Sequence, residues 1–142
     1  MNQSTILYTA VKALIKNNDG EVLVLKQSDP TISGFDQYHP PGGIIEYGET
    51  LVECVAREVE EEVGVRPVVG KLFDVGEWQA IRDDLAMQFV GLFYSCTLPE
   101  DARLTLQQDE ASEAYWVGLG TIDEIAIMEP SKSIIRRFLE KI

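Results

Sequence analysis

An α/β sandwich about a mixed central sheet is the fold this sequence predicts, and three observations carry that expectation. Apolar stretches with the alternation of half-buried strands occupy residues 5–16, 21–26, 66–78 and 85–98. An amphipathic helix with its own start and stop signals interrupts them at 51–63. A second helical spacing lies at 134–142. Strands that flank helices on both sides bury their apolar faces by layering, which is the α/β solution.

The elements follow in order. TILYTAVKALIK at the start alternates apolar residues and predicts the first strand. Asn17-Asn18-Asp19-Gly20 is a turn signal, after which residues 21–26 return as a second strand. Residues 28–38 read as a loop with Pro30, Gly34 and aromatics, and His39-Pro40-Pro41-Gly42-Gly43 punctuates the approach to the helix. In that helix Leu51, Val52, Val55, Val59 and Val63 form the apolar stripe. Thr50 is the expected N-cap, Glu53 its capping-box partner, and Gly64 stands where a left-handed glycine ends a helix. Residues 66–78 then predict a strand, Asp83-Asp84 a turn, and 85–98 the most apolar strand, expected at the centre of the sheet. Residues 104–108 are expected as a short edge strand and 114–117 as the last one. Residues 134–142 are expected as the final helix, with Ser131 near its N-cap. No repeat, low-complexity tract or Pro/Gly/Ser linker divides the chain, so residues 1–142 are expected as one domain.

Composition excludes several roles. With 142 residues and 45% hydrophobic content the chain can fill one ordinary core. No apolar run reaches the ~18 residues of a membrane span, and Met-Asn-Gln-Ser-Thr lacks the layout of a signal peptide. Cys54 and Cys96 make no disulfide framework and read as buried thiols of a reduced, cytoplasmic protein. The 24 acids against 12 bases leave a net charge of −12, which opposes unaided binding of nucleic acid or an anionic membrane. It also repels an anionic nucleotide unless a metal neutralises the site locally.

The chemistry is concentrated in GIIEYGETLVECVAREVEEEVGV, from Gly43 to Val65. Glu58, Glu61 and Glu62 stand at i, i+3 and i+4, so they project from one helix patch. Like charges at that spacing cost a few tenths of a kcal/mol per pair. A solvated face tolerates this cost, and a bound divalent cation would reverse it; oxygen-rich acidic sites suit Mg²⁺ or Mn²⁺.

The spacing Gly43, Glu49, Arg57-Glu58-Val59, Glu61-Glu62 and Gly64-Val65 resembles the Nudix box without a departure. The resemblance implies the Nudix α/β/α sandwich and hydrolysis of a nucleoside diphosphate linked to another moiety, with Mg²⁺ or Mn²⁺ as cofactor. It implies Glu58, Glu61 and Glu62 as metal ligands, joined by a backbone carbonyl of Gly42 or Gly43. Either Glu61 or Glu62 is expected to deprotonate the attacking water. Arg57 belongs to this catalytic set in a supporting role, placed by spacing to pair with Glu53 and Glu61. Glu49 braces the turn into the helix and Gly64 ends it. An acid from outside the box completes such sites, and here Glu110 is expected ahead of Glu113. Phe35, Tyr38 and Trp78 are candidates to stack on a base, against the plainer reading that they pack. Arg82 is a candidate for a substrate phosphate, against a surface ion pair. His39 is expected to be structural rather than a base.

The preferred substrate is a nucleoside triphosphate, native or modified, cut to monophosphate and pyrophosphate. ADP-ribose or a nucleotide sugar is the alternative, and a non-catalytic nucleotide-sensing module is the rival of another class. An isomerase reading lacks an evident cysteine–glutamate pair. The expected partner is a small nucleotide, and family habit makes a homodimer an open expectation.

Overall fold

The computed structural model describes residues 4–31, 36–107 and 111–142. Among them run strands β1 (Ser4–Ile15), β2 (Val22–Gln27), β3 (Tyr38–His39) and β4 (Gly42–Ile44), then helix α1 (Leu51–Val63). Strands β5 (Val68–Arg82), β6 (Leu85–Thr97) and β7 (Ala111–Val117) follow, then a 3₁₀ turn at Ile122–Glu124 and helix α2 (Ser131–Lys141). One sheet has the order β4-β1-β6-β5 and the other β3-β2-β7. β1 and β6 are parallel from Ser4–Leu85 to Ile15–Cys96, while β4 and β5 join antiparallel, so this sheet is mixed as expected. β6 lies inside it, as its apolar sequence requires.

Alternation along β1 divides the interior in two. Val11, Ala13 and Ile15 enter a cluster with Cys54, Val55, Val59 and Val63 of α1. Leu14 enters the other, with Phe93, Ile134, Ile135, Phe138 and Leu139 beneath α2. The α/β/α layering is therefore present, but its middle layer is two sheets rather than one. The turn after β1 forms as expected: Asn17 Oδ1 accepts the N–H groups of Asp19 and Glu21 at 3.0 Å. It does not close a hairpin, because β1 and β2 meet only at the bridge between Lys16 and Val22. Leu14, Ile15 and Val22 to Leu25 are all fully buried, so each strand lies inside its own sheet with a neighbour on either side. Asp83-Asp84 does close a hairpin, with Asp83 at φ 54 between the paired Arg82 and Leu85.

Helix α1 has the predicted ends. Thr50 and Glu53 make the reciprocal capping box, and Gly64 adopts φ 76 at the C-cap. Val52, assigned to the buried stripe, stays 47% exposed in the first turn. The expected edge strand at 104–108 is not a strand over its described part, 104–107. Its Thr105 and Gln107 N–H groups instead donate to the Val63 and Glu62 carbonyls at 2.7 and 3.0 Å, satisfying the open end of α1. Ser131 is the first residue of α2, next to the N-cap Pro130 as expected; the Glu129 carboxylate accepts from the Ser133 N–H and hydroxyl at 2.9 Å. No described helix is long and apolar enough to cross a membrane.

Gly64 offers a check on this packing. A Cβ there would meet Thr105 at 3.3 Å and force an L side chain into the left-handed region. Gly64→Val is expected to lower the urea midpoint by an amount worth about 1–2 kcal/mol at unchanged m. Gly20→Ala, also left-handed at φ 73 but with open space around it, should cost less. Equal costs at the two sites would show that the Thr105 contact contributes nothing.

Candidate active site

Helix α1 and the strand entering it approach closely because two glycines permit it. A Cβ on Gly42 would lie 2.0 Å from the Val11 carbonyl oxygen, and one on Gly43 would lie 2.3 Å from the Glu58 carboxyl carbon. Across this contact the Gly42 N–H donates to Glu62 Oε1 at 2.8 Å, and Glu62 is only 4% exposed. A carboxylate so withdrawn from water needs such a donor.

Arg57 organises the remaining acids. Its Nε and Nη2 grip the two Glu49 oxygens at 2.6 and 3.1 Å. Nη1 donates to Glu58 at 2.9 Å and to both Glu61 oxygens at 3.2 Å, with Glu46 at 3.6 Å. The hydrogen bonds from Arg57 hold the Glu49 carboxyl at about 2, well below its usual range. The pairing expected with Glu53 is absent from this set, since Glu53 turns back to accept from the Thr50 N–H at 3.1 Å. Cys54 Sγ accepts from Arg57 Nη2 at 3.7 Å and so lies beside Glu49, a proximity that spacing did not reveal. Burial, with the nearby Glu49, pushes the thiol up to about 12, so it is no nucleophile.

Glu58, Glu62, Gly42 and Gly43 line one side of a cleft of about 600 Å³. Its sheet side is laid out by strand register. Tyr8, Phe89 and Trp78 form one row across β1, β6 and β5, with ring centroids 5.4 and 5.2 Å apart. Gly91 makes room for the indole, since a Cβ there would fall 2.3 Å from a Trp78 ring atom. Arg82 lies towards one end, paired with Asp29 at 2.9 Å. Towards the other, Lys12 Nζ is 5.5 Å from the Trp78 ring centroid and 3.3 Å from His39 Nδ1. Loss of water lowers the Lys12 pKa, while the Glu62 and Glu58 charges oppose that fall. His39 is buried, its Nδ1 is 2.8 Å from the Pro40 carbonyl, and its Nε2 has no partner among the described residues. Burial and the Lys12 charge lower its pKa to about 3, so the imidazole is neutral.

The predicted residues thus divide. Glu58, Glu62, Gly42, Gly43, Trp78 and Arg82 meet at one cleft. Arg57, Glu49 and Glu61 stand behind Glu58 in the guanidinium network. Gly64 is remote and caps α1. Tyr38 lies elsewhere: it lines a separate pocket with Tyr115 and Trp116, and its hydroxyl donates to Glu113 at 2.5 Å. Glu113 is committed to that bond and to Lys26 at 3.9 Å. Phe35 and Glu110 lie outside the described residues. Tyr8, Lys12 and Phe89 carried no motif; the signal was a lysine inside an apolar strand and aromatics that only register aligns.

Among the described residues no three His, Cys, Asp or Glu groups stand together as a ready metal cluster. Arg57 draws Glu58 and Glu61 towards itself. The donors nevertheless fit a hard cation: all are oxygens, and Glu58 occupies the space beside Gly43 that a Cβ would fill.

Because His39 is held neutral, the folded state resists its protonation. The unfolded chain takes up that proton near pH 6.5, the folded chain only near 3, so stability falls with acidification across this window. Glu49 adds to the loss only below its ordinary value of 4.5. Urea midpoints measured between pH 6.5 and 5 should therefore decline in the native protein and much less in His39→Asn. An unchanged slope in that variant would remove His39 as the cause.

Comparison with known proteins bears on the family and the fold. The family model described as NUDIX domain matches residues 7–138. The NAD-capped RNA hydrolase NudC of Vibrio atlanticus (strain LGP32) is 32% identical over 123 residues, 87% of this chain and 41% of that protein. The ADP-ribose pyrophosphatase of Methanocaldococcus jannaschii is 38% identical over 66 residues, 46% of this chain and 37% of that protein. The chain spans about four-tenths of the length of these curated relatives. A MutT protein from Methanosarcina mazei Go1 superposes with a TM-score of 0.80 at 25% identity, covering 99% of this chain and 97% of that one. An Ap4A hydrolase from C. elegans shares the fold at a TM-score of 0.71 and 19% identity, covering 94% and 96%. With a family match over nearly the whole chain and an unbroken box that places Glu58 and Glu62 in the cleft, this chain belongs to the Nudix hydrolase family.

Proposed function

We propose that the chain hydrolyses a pyrophosphate bond in a nucleoside diphosphate linked to another moiety, aided by Mg²⁺ or Mn²⁺. The observation that carries this is the pair of box carboxylates, Glu58 against Gly43 and the buried Glu62 on the Gly42 N–H, opening onto one cleft. Glu58, Glu62 and a carbonyl of Gly42 or Gly43 would hold the ion, with Glu61 able to turn towards them from its exposed position. A divalent ion there supplies charge neutralisation and Lewis acidity towards the phosphoryl oxygens. Arg57 keeps the acids placed before substrate arrives. Glu61 or Glu62 takes the proton of the attacking water at a carboxylate oxygen. The new bond joins that water's oxygen to phosphorus, and the bridging P–O bond breaks.

The aromatic row supports a nucleotide as the organic part of the substrate, because Tyr8 and Phe89 are half-exposed to the cleft. Relatives named for NAD-capped RNA and ADP-ribose favour a diphosphate that bridges a nucleotide to a second moiety. A nucleoside triphosphate, cut to monophosphate and pyrophosphate, is the competing substrate. The charge of −12 weighs against a long RNA body as part of the ligand. Cys54 and Cys96, both free and buried, suit a reducing cytoplasm. Residues 1–142 act as one domain in this reading.

A panel of ADP-ribose, nucleotide sugars, dinucleoside polyphosphates and nucleoside triphosphates, with Mg²⁺ and with EDTA, tests the reading. Turnover of one class only with metal is the expected result. No turnover alongside nucleotide binding by calorimetry would turn the chain into a sensor module. Glu62→Gln should lower kcat roughly a hundredfold or more while circular dichroism stays unchanged. Near-normal turnover in that variant would remove Glu62 from the site.

A further inference from the structure

The cleft contains a cation that the hydrolytic roles above leave unused. Lys12 lies in the middle of β1 between the fully buried Val11 and Ala13, on the face that carries the buried Ala10 and Leu14. Its register partner on β6 is the fully buried Phe93. Packing alone favours an apolar side chain at such a position, since an ammonium drawn out of water is disfavoured without an anionic partner. Among the described residues, its two nearest side-chain contacts, His39 and Trp78, carry no negative charge. His39 Nδ1, 3.3 Å away, sits 2.8 Å from the Pro40 carbonyl, a separation that assigns its proton to that oxygen. The Trp78 ring offers only its π-face, at 5.5 Å. Glu62 and Glu58 attract the ammonium through space, but Glu62 accepts from the Gly42 N–H and Glu58 from Arg57.

Position gives the lysine a use. The Lys12 Cα is paired in register with Gly42, whose N–H holds Glu62, and all three residues line the cleft. We propose that Lys12 anchors the substrate's diphosphate, its ammonium binding a non-bridging phosphoryl oxygen at the Gly42 end of the cleft. The inference rests on the hydrolytic reading for the identity of the ligand and on the register of β1 for its place. It also orients the substrate. Tyr8 is four residues back along β1, about 13 Å at strand rise, so a diphosphate held at Lys12 leaves the aromatic row to the ring-bearing part. Among the described residues that line the cleft, the other cation is Arg82, at the opposite end and paired with Asp29.

Inorganic pyrophosphate is the probe, bound to the full chain with Mn²⁺ and followed by calorimetry. Mn²⁺ affinity alone is measured by electron paramagnetic resonance. Lys12→Met replaces the charge by an apolar chain of similar length, and Lys12→Arg retains it; Lys12→Gln serves if the methionine variant does not fold. The expected result is a loss of pyrophosphate affinity of roughly tenfold to a hundredfold in Lys12→Met, with Mn²⁺ affinity undiminished and most of the loss rescued in Lys12→Arg. A pyrophosphate affinity independent of Lys12, one that falls only with Mn²⁺ affinity, or no pyrophosphate binding by the native chain would each overturn the proposal. Lys12-dependent binding without turnover of any panel substrate would instead overturn the hydrolytic reading and leave this one standing. Normal turnover with Lys12-independent binding would do the reverse.

Discussion

Arg57 is the residue on which the acidic face of α1 depends. Glu49, Glu58 and Glu61 crowd around its guanidinium, and Glu46 adds a further charge at the rim. The guanidinium answers this with geometry that a lysine lacks. Two nitrogens clamp Glu49 from below the helix, while a third reaches Glu58 and Glu61 along it. Loop and helix are therefore tied by one planar group, and Nη2 also approaches the Ile44 carbonyl at 3.4 Å. Since Ile44 follows directly on Gly43, the clamp fixes the glycine strand against Glu58 as well. What local spacing presents as an i, i+4 helix pair is in three dimensions the joint between the box loop and the box helix.

Around this joint the cleft is made by strands that do not follow one another in sequence. β1 contributes Tyr8, Ala10 and Lys12 from one face, while its other face buries Val11, Ala13 and Ile15 against α1. The same alternation that builds the core therefore builds the cleft wall. Gly42 and Gly43 serve both purposes too, because removing their side chains lets β4 touch β1 on one side and Glu58 on the other. Core and cleft are coupled here through helix and strands rather than through loops, which holds Glu58 and Glu62 in place at the cleft.

The parts of the fold that local physics decides were legible. Thr50, Glu53 and Gly64 mark the ends of α1 because capping depends on residues within one turn of the helix. The turn at Asp83 and the interior place of β6 were equally readable, the first from turn chemistry and the second from unbroken apolarity. Strand partners were not. The turn at Asn17–Gly20 and the strand after it were readable, but burial on both faces sends β1 and β2 into separate sheets. Residues 104–107 have the composition of a strand, but the unsatisfied carbonyls of Glu62 and Val63 claim their N–H groups. Tyr38 sits beside the box in sequence and still faces Tyr115 on the far pocket, because β3 presents it away from the cleft.

By itself the sequence determined the family, the acidic helix and the shared helix patch of Glu58, Glu61 and Glu62. Each of these is set by spacing along one element, where 3.6 residues per turn leaves no freedom. Only the tertiary structure decided which of those acids opens onto the cleft and which stays with Arg57. It alone brought Tyr8, Phe89 and Trp78 into a row and set Lys12 opposite Gly42, since strand register is a choice among partners far apart in the chain. A lysine at the centre of an apolar strand is an anomaly in one dimension; beside Glu62 and Gly42 it becomes part of a site.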